Sequence, residues 1–507
     1  VKSWLHEHDT RYNCYNESEE IAGGVPVNRP NIFVKEMNQY EIKTQAGTLH
    51  YNMKWLDNDK GLQKKRAFLK SIWLQTCAYL YKEERIRPEE LRWSYPGSMM
   101  EADSAELEKI FEELCRMTPI TGGRQPQLGR ELTTEAEAVC SFALSRDFGL
   151  NKDNMFLGID VGGSTSDILL LAKDQNNGNK SSLYRESSVR IAAGVFFNAV
   201  IKSESFRQAL VSFHEGRKTK VFVANIKEVL TQPSKAPYYL NSIFDQLKSE
   251  SDYEEFYSSI NNNARFVFTI PAYVTGLLLF YSGMLIGKTI KTEKIDHIRR
   301  VDVLSFGKGG RLFHWLRSSA TQRVTNEYYE KCLNAGVNLV TEKNLEVKYR
   351  DEIEINNKAE VAMGLVDAKE LIKKQQEVDS DICGETGVKY IMNDGTPKEL
   401  QTEELTGEYF ANEMNKFDFS GVTNFEKFME IFIDFVSQKT RLYPQADNLR
   451  EELADLPNRI TSYICNNDDE YRKARRTQGD DFTYHQPIII AEGACFLDTL
   501  IKKAFNQ

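Results

Sequence analysis

The sequence predicts an α/β protein in which helices cover a sheet whose strands end in glycine-rich loops. Three observations lead to this prediction. Helical and extended patterns alternate along the first 130 residues, a glycine-rich loop at 160–167 separates two apolar runs, and the segment 301–306, typical of a buried strand, enters a second glycine-rich loop at 307–310. A change of apolar period between 3.6 and 2.0 is typical of packed helix and strand layers.

Apolar spacing and capping residues predict the individual elements. Segments 31–34 and 45–56 look extended, 63–83 looks helical, and 91–98 looks like a strand that ends at a Pro-Gly turn. Asp103 with Glu106, and Thr134 with Glu137, have the spacing of a capping box and predict two helix starts. The second of these helices is Glu135–Ser145, whose small residues allow close approach to another backbone. The remaining predictions are strands at 155–160, 168–172 and 301–306 and a helix at 311–318.

Residues 266–286 carry no charge over a length sufficient to cross a bilayer. Pro271 and several hydroxyl-bearing residues interrupt this run, and its flanks are typical of soluble proteins. We therefore predict a strand or loop followed by a buried helix, with a membrane span as the alternative.

The composition, 41% hydrophobic and 27% charged, is that of a globular protein. A net charge of −9 disfavours a nucleic-acid surface, and the basic run 472–476 is interpreted as a solvated helix face. None of the eight cysteines forms a Cys-x-x-Cys pair, which disfavours a disulfide scaffold or a zinc site. Reduced thiols and the lack of a signal peptide predict a cytoplasmic location, and the first residues indicate an excised fragment.

The sharpest chemical signal is the loop at 160–167, which reads DVGGSTSD. Gly162 and Gly163 let the backbone approach a ligand, and successive N–H groups of such a turn form a concave site for a phosphate. Asp160 would repel a bare phosphate but suits a magnesium ion or its waters. The loop therefore predicts a metal–nucleotide site, and a purely structural β-turn is the alternative, because Gly, Ser and Asp all favour turns. Further hydroxyl donors would be Ser164 and Thr165.

The second glycine-rich loop, 307–310, follows a buried type of strand and opens a helix. That arrangement directs backbone N–H groups toward a ligand at a positive helix end. Strand–Gly–helix turns are common, so a structural role is the alternative. Lys308 within the loop could reach a phosphate or remain solvated.

Taken in chain order, these motifs resemble the superfamily that joins actin, the seventy-kilodalton heat-shock chaperones and the sugar kinases. The heat-shock branch is the nearest. Its Asp-Leu-Gly-Gly-Gly-Thr-Phe-Asp loop resembles 160–167, its Glu-Pro-Thr-Ala-Ala helix resembles 135–139, and its Ala-x-Gly-Ala helix resembles 360–364. Weaker matches are its Val-Pro-Ala strand end at 94–97 and its Leu-Gly-Gly turn at 192–194. The resemblance covers residues 60–366.

The resemblance implies actin-like, ribonuclease-H-like ATPase lobes. Residues 1–145 would form an incomplete first lobe, 146–366 a second lobe with the phosphate and adenosine loops, and 367–507 a mostly helical C-terminal extension. The superfamily's first phosphate loop is not found in the sequence, Lys308 interrupts the adenosine loop, and no peptide-binding β-domain follows residue 367.

By the same resemblance, ATP and Mg²⁺ would bind between the lobes. Asp160 would hold the metal, and Glu135 would orient or deprotonate the attacking water. Glu137 could exchange roles with Glu135, although the capping box explains it as well. The nucleotide would be held by Gly162, Gly163, Ser164, Thr165, Asp167, Gly307, Gly309 and Gly310.

The leading functional hypothesis is a nucleotide-driven conformational switch with slow ATP hydrolysis, in which the fragment itself lacks activity without the first loop. The alternatives are a non-catalytic interaction protein and a small-molecule kinase of the same fold. The expected partners are the nucleotide and a protein that binds residues 367–507, but neither nucleic acid nor a membrane.

Two segments compete for the helix that returns to the core in this fold. We prefer 360–364 because of its distance from the adenosine loop. The alternative is 487–500, predicted as a strand and then a helix on either side of Gly493. In the same region Phe425, Phe428, Phe432 and Phe435 share one helical face, which indicates core packing.

Overall fold

The fold was analysed in a computed structural model. It describes residues 59–81, 86–97, 99, 101–118, 124–129, 133–145, 150–163, 165–174, 180–215, 217, 223–224, 226–227, 230–231, 250–260, 262–317, 321–350, 360–366, 372–373, 384–385, 388–391, 394–399, 405–406, 417–421, 423–443, 446, 448–467, 483–484 and 486–505. The extended segments predicted at 31–34 and 45–56, the basic run 472–476 and Ser164 lie outside these residues.

The chain divides into two compact units, each considered by itself. Unit 1 comprises the described residues of Val1–Tyr95, Met99–Thr134 and Arg207–Ser259. Unit 2 comprises those of Pro96–Ser98, Glu135–Phe206 and Ile260–Gln507. These boundaries differ from the predicted divisions at residues 145 and 366.

Fourteen helices of five residues or more are named here, in chain order. They are α1 (Asp59–Tyr79), α2 (Glu101–Met117), α3 (Glu135–Ser145), α4 (Ala193–Val200), α5 (Glu204–His214), α6 (Glu250–Ser259), α7 (Thr269–Glu293), α8 (Arg311–Trp315), α9 (Gln322–Asn338), α10 (Glu360–Val366), α11 (Asn424–Ile433), α12 (Asn448–Ala454), α13 (Leu456–Asn467) and α14 (Ile488–Phe505).

The strands are named in the same way. They are β1 (Glu90–Leu91), β2 (Ser94–Tyr95), β3 (Gln127–Leu128), β4 (Thr133–Thr134), β5 (Asn154–Val161), β6 (Ser166–Asp174), β7 (Lys180–Val189), β8 (Arg300–Phe306), β9 (Glu346–Tyr349), β10 (Ile372–Lys373), β11 (Lys389–Ile391), β12 (Pro397–Glu399), β13 (Leu405–Thr406), β14 (Phe417–Asp418) and β15 (Thr483–Tyr484). A mixed α/β architecture is therefore confirmed.

Unit 1 is built around the aromatic side chains of α1, α2 and the short strands. Trp93 stacks on Phe111 at a centroid distance of 4.9 Å. The indole N–H of Trp73 donates to Thr118 Oγ1 at 2.7 Å. The predicted helix at 63–83 is present but begins four residues earlier, and the predicted start at Asp103 is wrong because α2 already begins at Glu101.

The main sheet of unit 2 has the strand order β10-β7-β6-β5-β8-β9. The strands β5, β6 and β7 form an antiparallel meander, whereas β8 and β9 run parallel to β5 on its other side. Among the six strands, β6 alone runs opposite to the rest. The strands predicted at 155–160, 168–172 and 301–306 are confirmed as β5, β6 and β8, each within two residues at either end.

Helix α3, predicted with the same bounds, covers one face of this sheet. It packs on Phe156 of β5, Leu169 and Leu171 of β6, and Phe306 of β8. Because side chains alternate between faces along a strand, Asp160 lies on the same face as Phe156. The face that α3 covers therefore carries an acidic residue at the carboxyl end of β5.

The apolar run 266–286 forms the buried helix α7 after a short 3₁₀ turn, Phe266–Phe268. The window of this helix that is apolar enough to cross a membrane is completely buried within unit 2. The predicted strand or loop before it is wrong. Pro271 lies in the first turn of the helix, where a backbone N–H has no intrahelical partner, so it does not interrupt the helix.

Helices α11 and α14 pack against α7. The four phenylalanines predicted as core are all buried, and Tyr273 of α7 packs edge-on against Phe428 and Phe432. The strand predicted near residue 487 is wrong, because residues 488–505 form one continuous helix. The apolar stretch Ile488-Ile489-Ile490 is buried on all sides, so its side chains give no helical period in the sequence.

Candidate functional site

The two glycine-rich loops meet at one edge of the main sheet. Parallel neighbours β5 and β8 end side by side, with Asp160 opposite Phe306, and Gly307 follows at once. From β5 the chain continues to β6 and β7 on one side, whereas β8 and β9 lie on the other. Ligands of open α/β sheets bind at the carboxyl ends of strands where the order reverses in this way. Topology thus marks this edge as the candidate site.

The predicted hairpin loop is a tight turn between β5 and β6. The N–H of Gly162 donates to the carbonyl oxygen of Thr165 at 2.9 Å, and Thr165 is only 6% exposed. Gly163 is exposed, and a Cβ built on it would have no atom within 4 Å. In the described part of the chain, the Gly163 N–H donates no backbone hydrogen bond. The accessible backbone of the hairpin is therefore at Gly163.

A segment that we call the strap, residues 190–194, holds the hairpin from the other side. The N–H groups of Ala193 and Gly194 donate to the carbonyl oxygens of Gly162 and Gly163, each at 3.1 Å. The Ser166 hydroxyl donates to the carbonyl oxygen of Ile191 at 2.6 Å. A side chain at Gly194 would overlap the Gly163 carbonyl, so only glycine fits there. The first amides of α4 thus hold the hairpin and are not available to a ligand.

Gln486, just before α14, in turn holds the strap. Its Oε1 accepts a hydrogen bond from the Arg190 N–H at 2.8 Å, and the side chain is only 4% exposed. Sequence reasoning missed this residue. A lone glutamine 296 positions from its partner leaves no periodic or motif signal.

Asp160 and Asp167 are directly opposite each other on β5 and β6, so their side chains lie on one face of the sheet. Asp160 is partly exposed, whereas Asp167 is only 3% exposed. Gly307 has φ +68°, and a side chain on it would overlap Asp160 Oδ1. Gly307 therefore allows the Asp160 carboxylate to lie against the second loop.

Gly309 and Gly310 were predicted to lie against the adenosine of a nucleotide, but in the structure they lie against other parts of the protein. Both are buried, Gly309 against Val161 and Ala193 and Gly310 against Ser305. The N–H of Gly310 donates back to the carbonyl oxygen of Gly307 at 3.2 Å. Packing of the chain on itself thus accounts for these two glycines, and the accessible part of the loop is at Gly307.

Glu135 begins α3 and is partly exposed, whereas Glu137 is buried. Thr134 directly precedes the helix, which agrees with the capping-box spacing.

The Cys140 thiol of α3 is completely buried. Burial is the largest cause that raises its pKa well above the ordinary range, and the charges of Glu186 and Glu137 add to it. This thiol is therefore a packing group and not a nucleophile.

Helix α10 packs closely on α3. A side chain at Gly364 would overlap the carbonyl oxygen of Ala138, so the two backbones are in direct contact. Gly493 of α14, in the competing segment, instead packs on Leu277 and Tyr273 of α7. The contact with α3 is thus made by the segment preferred from the sequence.

The described residues contain no group of three or more His, Cys, Asp or Glu side chains that could hold a metal ion. Mg²⁺ commonly uses one or two carboxylates and takes its other ligands from water and substrate phosphates. A partly exposed Asp160 beside an accessible backbone amide fits that requirement.

The structure therefore brings Asp160, Gly162, Gly163, Thr165, Asp167 and the loop Gly307–Gly310 to one edge of one sheet. Comparison with protein-family models and with curated proteins finds no match to the chain.

Proposed function

We propose that the carboxyl ends of β5 and β8 bind ATP with Mg²⁺, and that this site belongs to a conformational switch driven by ATP binding and slow hydrolysis, in which hydrolysis also requires the superfamily's first phosphate loop. One observation carries the proposal: the exposed Gly163 amide lies at the tip of a hairpin held firmly by the strap, next to Asp160 and Gly307. A rigid backbone donor and a carboxylate at one point suit a metal-bound phosphate better than either a bare anion or a bare cation.

The sheet supports this proposal. A three-stranded meander followed by two parallel strands on its other side, with the second strand reversed, is the arrangement expected of a ribonuclease-H-like lobe. The resemblance of the loop at 160–167 to the heat-shock ATPases implies the same lobe. Two independent lines, one from residues and one from strand order, therefore favour the same fold.

The contact between α3 and α10 supports it as well. The segments 135–139 and 360–364 were matched to two different helices of the heat-shock branch, and they pack backbone to backbone through Gly364 and Ala138. This contact explains why Gly364 and Ala138 are both small residues.

In the proposed complex, Gly163 donates its N–H to a phosphate oxygen and Asp160 holds the metal through its carboxylate. When bound, Mg²⁺ would neutralise phosphate charge. Glu135, partly exposed at the start of α3, orients the attacking water. Catalysis then depends on positioning and on charge neutralisation.

The test is a titration of the whole chain with ATP and Mg²⁺, with Asp160→Ala as the variant. We expect Asp160→Ala to weaken Mg²⁺-dependent ATP affinity by at least about tenfold, close to 1.4 kcal/mol. Asp153→Ala is the matched control, because this exposed residue just before β5 lies at the opposite end of the strand. Its affinity should equal that of the unaltered chain.

Equal binding of ATP by the unaltered chain and Asp160→Ala would reject the site. Binding that depends on Asp160 without release of phosphate would instead favour the non-catalytic interaction protein. Turnover that requires an added sugar or acid would favour the kinase.

A further inference from the structure

Helix α14 carries a carboxyl group deep inside unit 2. Glu492 is 0% exposed, and neither of its carboxyl oxygens accepts a hydrogen bond from an N–H or O–H donor of the described residues. A buried charge without a partner costs several kcal/mol, and a buried carboxyl group commonly avoids this cost by keeping its proton.

Another buried carboxyl group, that of Glu385, lies beside this part of α14 and is 2% exposed. The preceding residue, Gly384, packs directly on Ile489, one helical turn before Glu492, and the charge of Glu385 acts on the Glu492 carboxyl group. Glu385 accepts backbone hydrogen bonds at the start of α11, from Thr423 at 3.3 Å, Asn424 at 3.1 Å and Phe425 at 2.5 Å. Three N–H donors and a positive helix end stabilise the ionised form of Glu385. Of the two carboxyl groups, Glu385 is therefore the one that carries the charge.

Among the described residues, no cation of the helices packed against α14 acts on Glu492. Exposed Glu426 of α11 adds a further negative charge, and Tyr273 of α7 contributes a neutral phenol that donates to the Gly493 carbonyl at 2.9 Å. Two of the nearby cations are already paired. Arg459 of α13 pairs with Asp455 at 3.2 Å and Lys503 with Glu452 of α12 at 2.6 Å. Within the ranges that the structure describes, the remaining titratable groups on or facing this part of α14 are Tyr463, Cys495, Asp498, Lys502 and Lys202, and the two lysines act on Asp498.

We propose that Glu492 and Glu385 share a single proton, and that this proton makes the packing of α11 against α14 dependent on pH. As a pair of carboxylates the two groups repel each other, whereas a protonated Glu492 can donate to the Glu385 carboxylate. Loss of the proton favours release of Glu385 from Glu492 and with it the cap of α11.

The pKa of Glu492 agrees with this arrangement. Burial raises the pKa well above the ordinary carboxyl range, and the charge of Glu385 raises it further. In the unfolded or locally opened chain, the pKa of a glutamate is about 4.3. Below that pH both states hold the proton of Glu492, so its contribution to stability is fully present and does not change with pH. Above it only the packed state keeps the proton, so stability falls with rising pH until the raised pKa of Glu492 is reached.

The experiment measures amide hydrogen exchange of α11 in the whole chain from pH 5 to 8, for the unaltered protein and for Glu492→Gln. Gln has the shape of a protonated glutamate and can donate to Glu385 at every pH. The intrinsic pH dependence of exchange cancels in the ratio of the two rates. We expect this ratio, unaltered over variant, to rise with pH by up to about tenfold per pH unit and to level off where the pKa of packed Glu492 is reached. Glu430→Gln changes an exposed residue of α11 itself and should leave the exchange of α11 unaltered.

Three results would overturn the proposal. The ratio could stay constant across the pH range, or Glu492→Gln could exchange faster than the unaltered protein at every pH. Alternatively, Mg²⁺ or Ca²⁺ alone could slow exchange in the unaltered protein but not in Glu492→Gln, in which case the pair would bind a cation and not a proton.

Discussion

Two regions of unit 2 use glycine to bring backbones together, and they differ in what occupies the space beside each glycine. Where α7 and α9 cross, side chains built on Gly283 and Gly336 would overlap Leu333 and Phe280 of the other helix. Where the strap meets the hairpin of β5 and β6, a side chain on Gly194 would likewise overlap the Gly163 carbonyl oxygen, whereas a side chain on Gly163 would face open space.

What lies beside a glycine distinguishes a packing role from a functional one better than the number of glycines in a loop does. A glycine that touches protein on all sides is explained by the fold, whereas a rigidly held glycine with nothing beside it is not. By this criterion Gly309 and Gly310 belong with the helix crossing, and Gly163 is the position that a ligand would explain.

The largest effect should come from Gly336→Ala, which tests the helix crossing. A methyl group would meet the Phe280 carbonyl and force α7 and α9 apart, so we expect a loss of about 3 kcal/mol in the free energy of unfolding. Chemical denaturation followed by tryptophan fluorescence measures it. At an ordinary helical site the same change stabilises by about 1 kcal/mol, so a gain in stability would contradict the proposed packing.

A smaller loss, about 2 kcal/mol, is expected for Gly194→Ala, because only one contact between the strap and the hairpin is broken. Unlike Gly336→Ala, this variant should also weaken ATP binding in its folded state, since the strap fixes the hairpin. Denaturation and ATP titration on one preparation provide both values. Full ATP affinity in a destabilised Gly194→Ala would show that the strap does not position the site.

The smallest effect on stability is expected for Gly163→Ala. Nothing lies within 4 Å of the new methyl group, so stability should change by less than about 1 kcal/mol. ATP affinity should nevertheless fall by about tenfold, because the methyl group occupies the approach to the Gly163 amide. If stability changes and ATP affinity does not, the distinction between the two kinds of glycine fails.

Local patterns predicted the elements that surround the candidate site. Strands β5 and β8 are short, mostly apolar segments that end at glycines, and α3 has small residues on its packed side. Segment length and the flanking glycines were therefore sufficient to predict them. The core role of Phe425, Phe428 and Phe432 of α11, and of Phe435 just after it, followed from their spacing.

The predictions that were wrong, and the residues that were missed, also have physical causes. Helix α7 and the start of α14 are buried all around, which removes the polar face that gives a helix its period. The strap acts through its backbone groups, and Gln486 acts through a side chain that is distant in the sequence. Neither kind of contact produces a pattern among neighbouring residues of the sequence. For the same reason the sequence could not separate Gly163 from Gly309, because their difference lies in their neighbours.

The hydrogen bond between Gln486 and Arg190 has a consequence for synthesis. The two residues are 296 positions apart, so at about 5 to 20 residues per second Gln486 emerges from the ribosome roughly 15 to 60 seconds after Arg190. During that interval the sheet can pair its strands while the loop that would face a nucleotide still lacks its last support. A nascent chain would therefore have the outline of the site well before it has a rigid one.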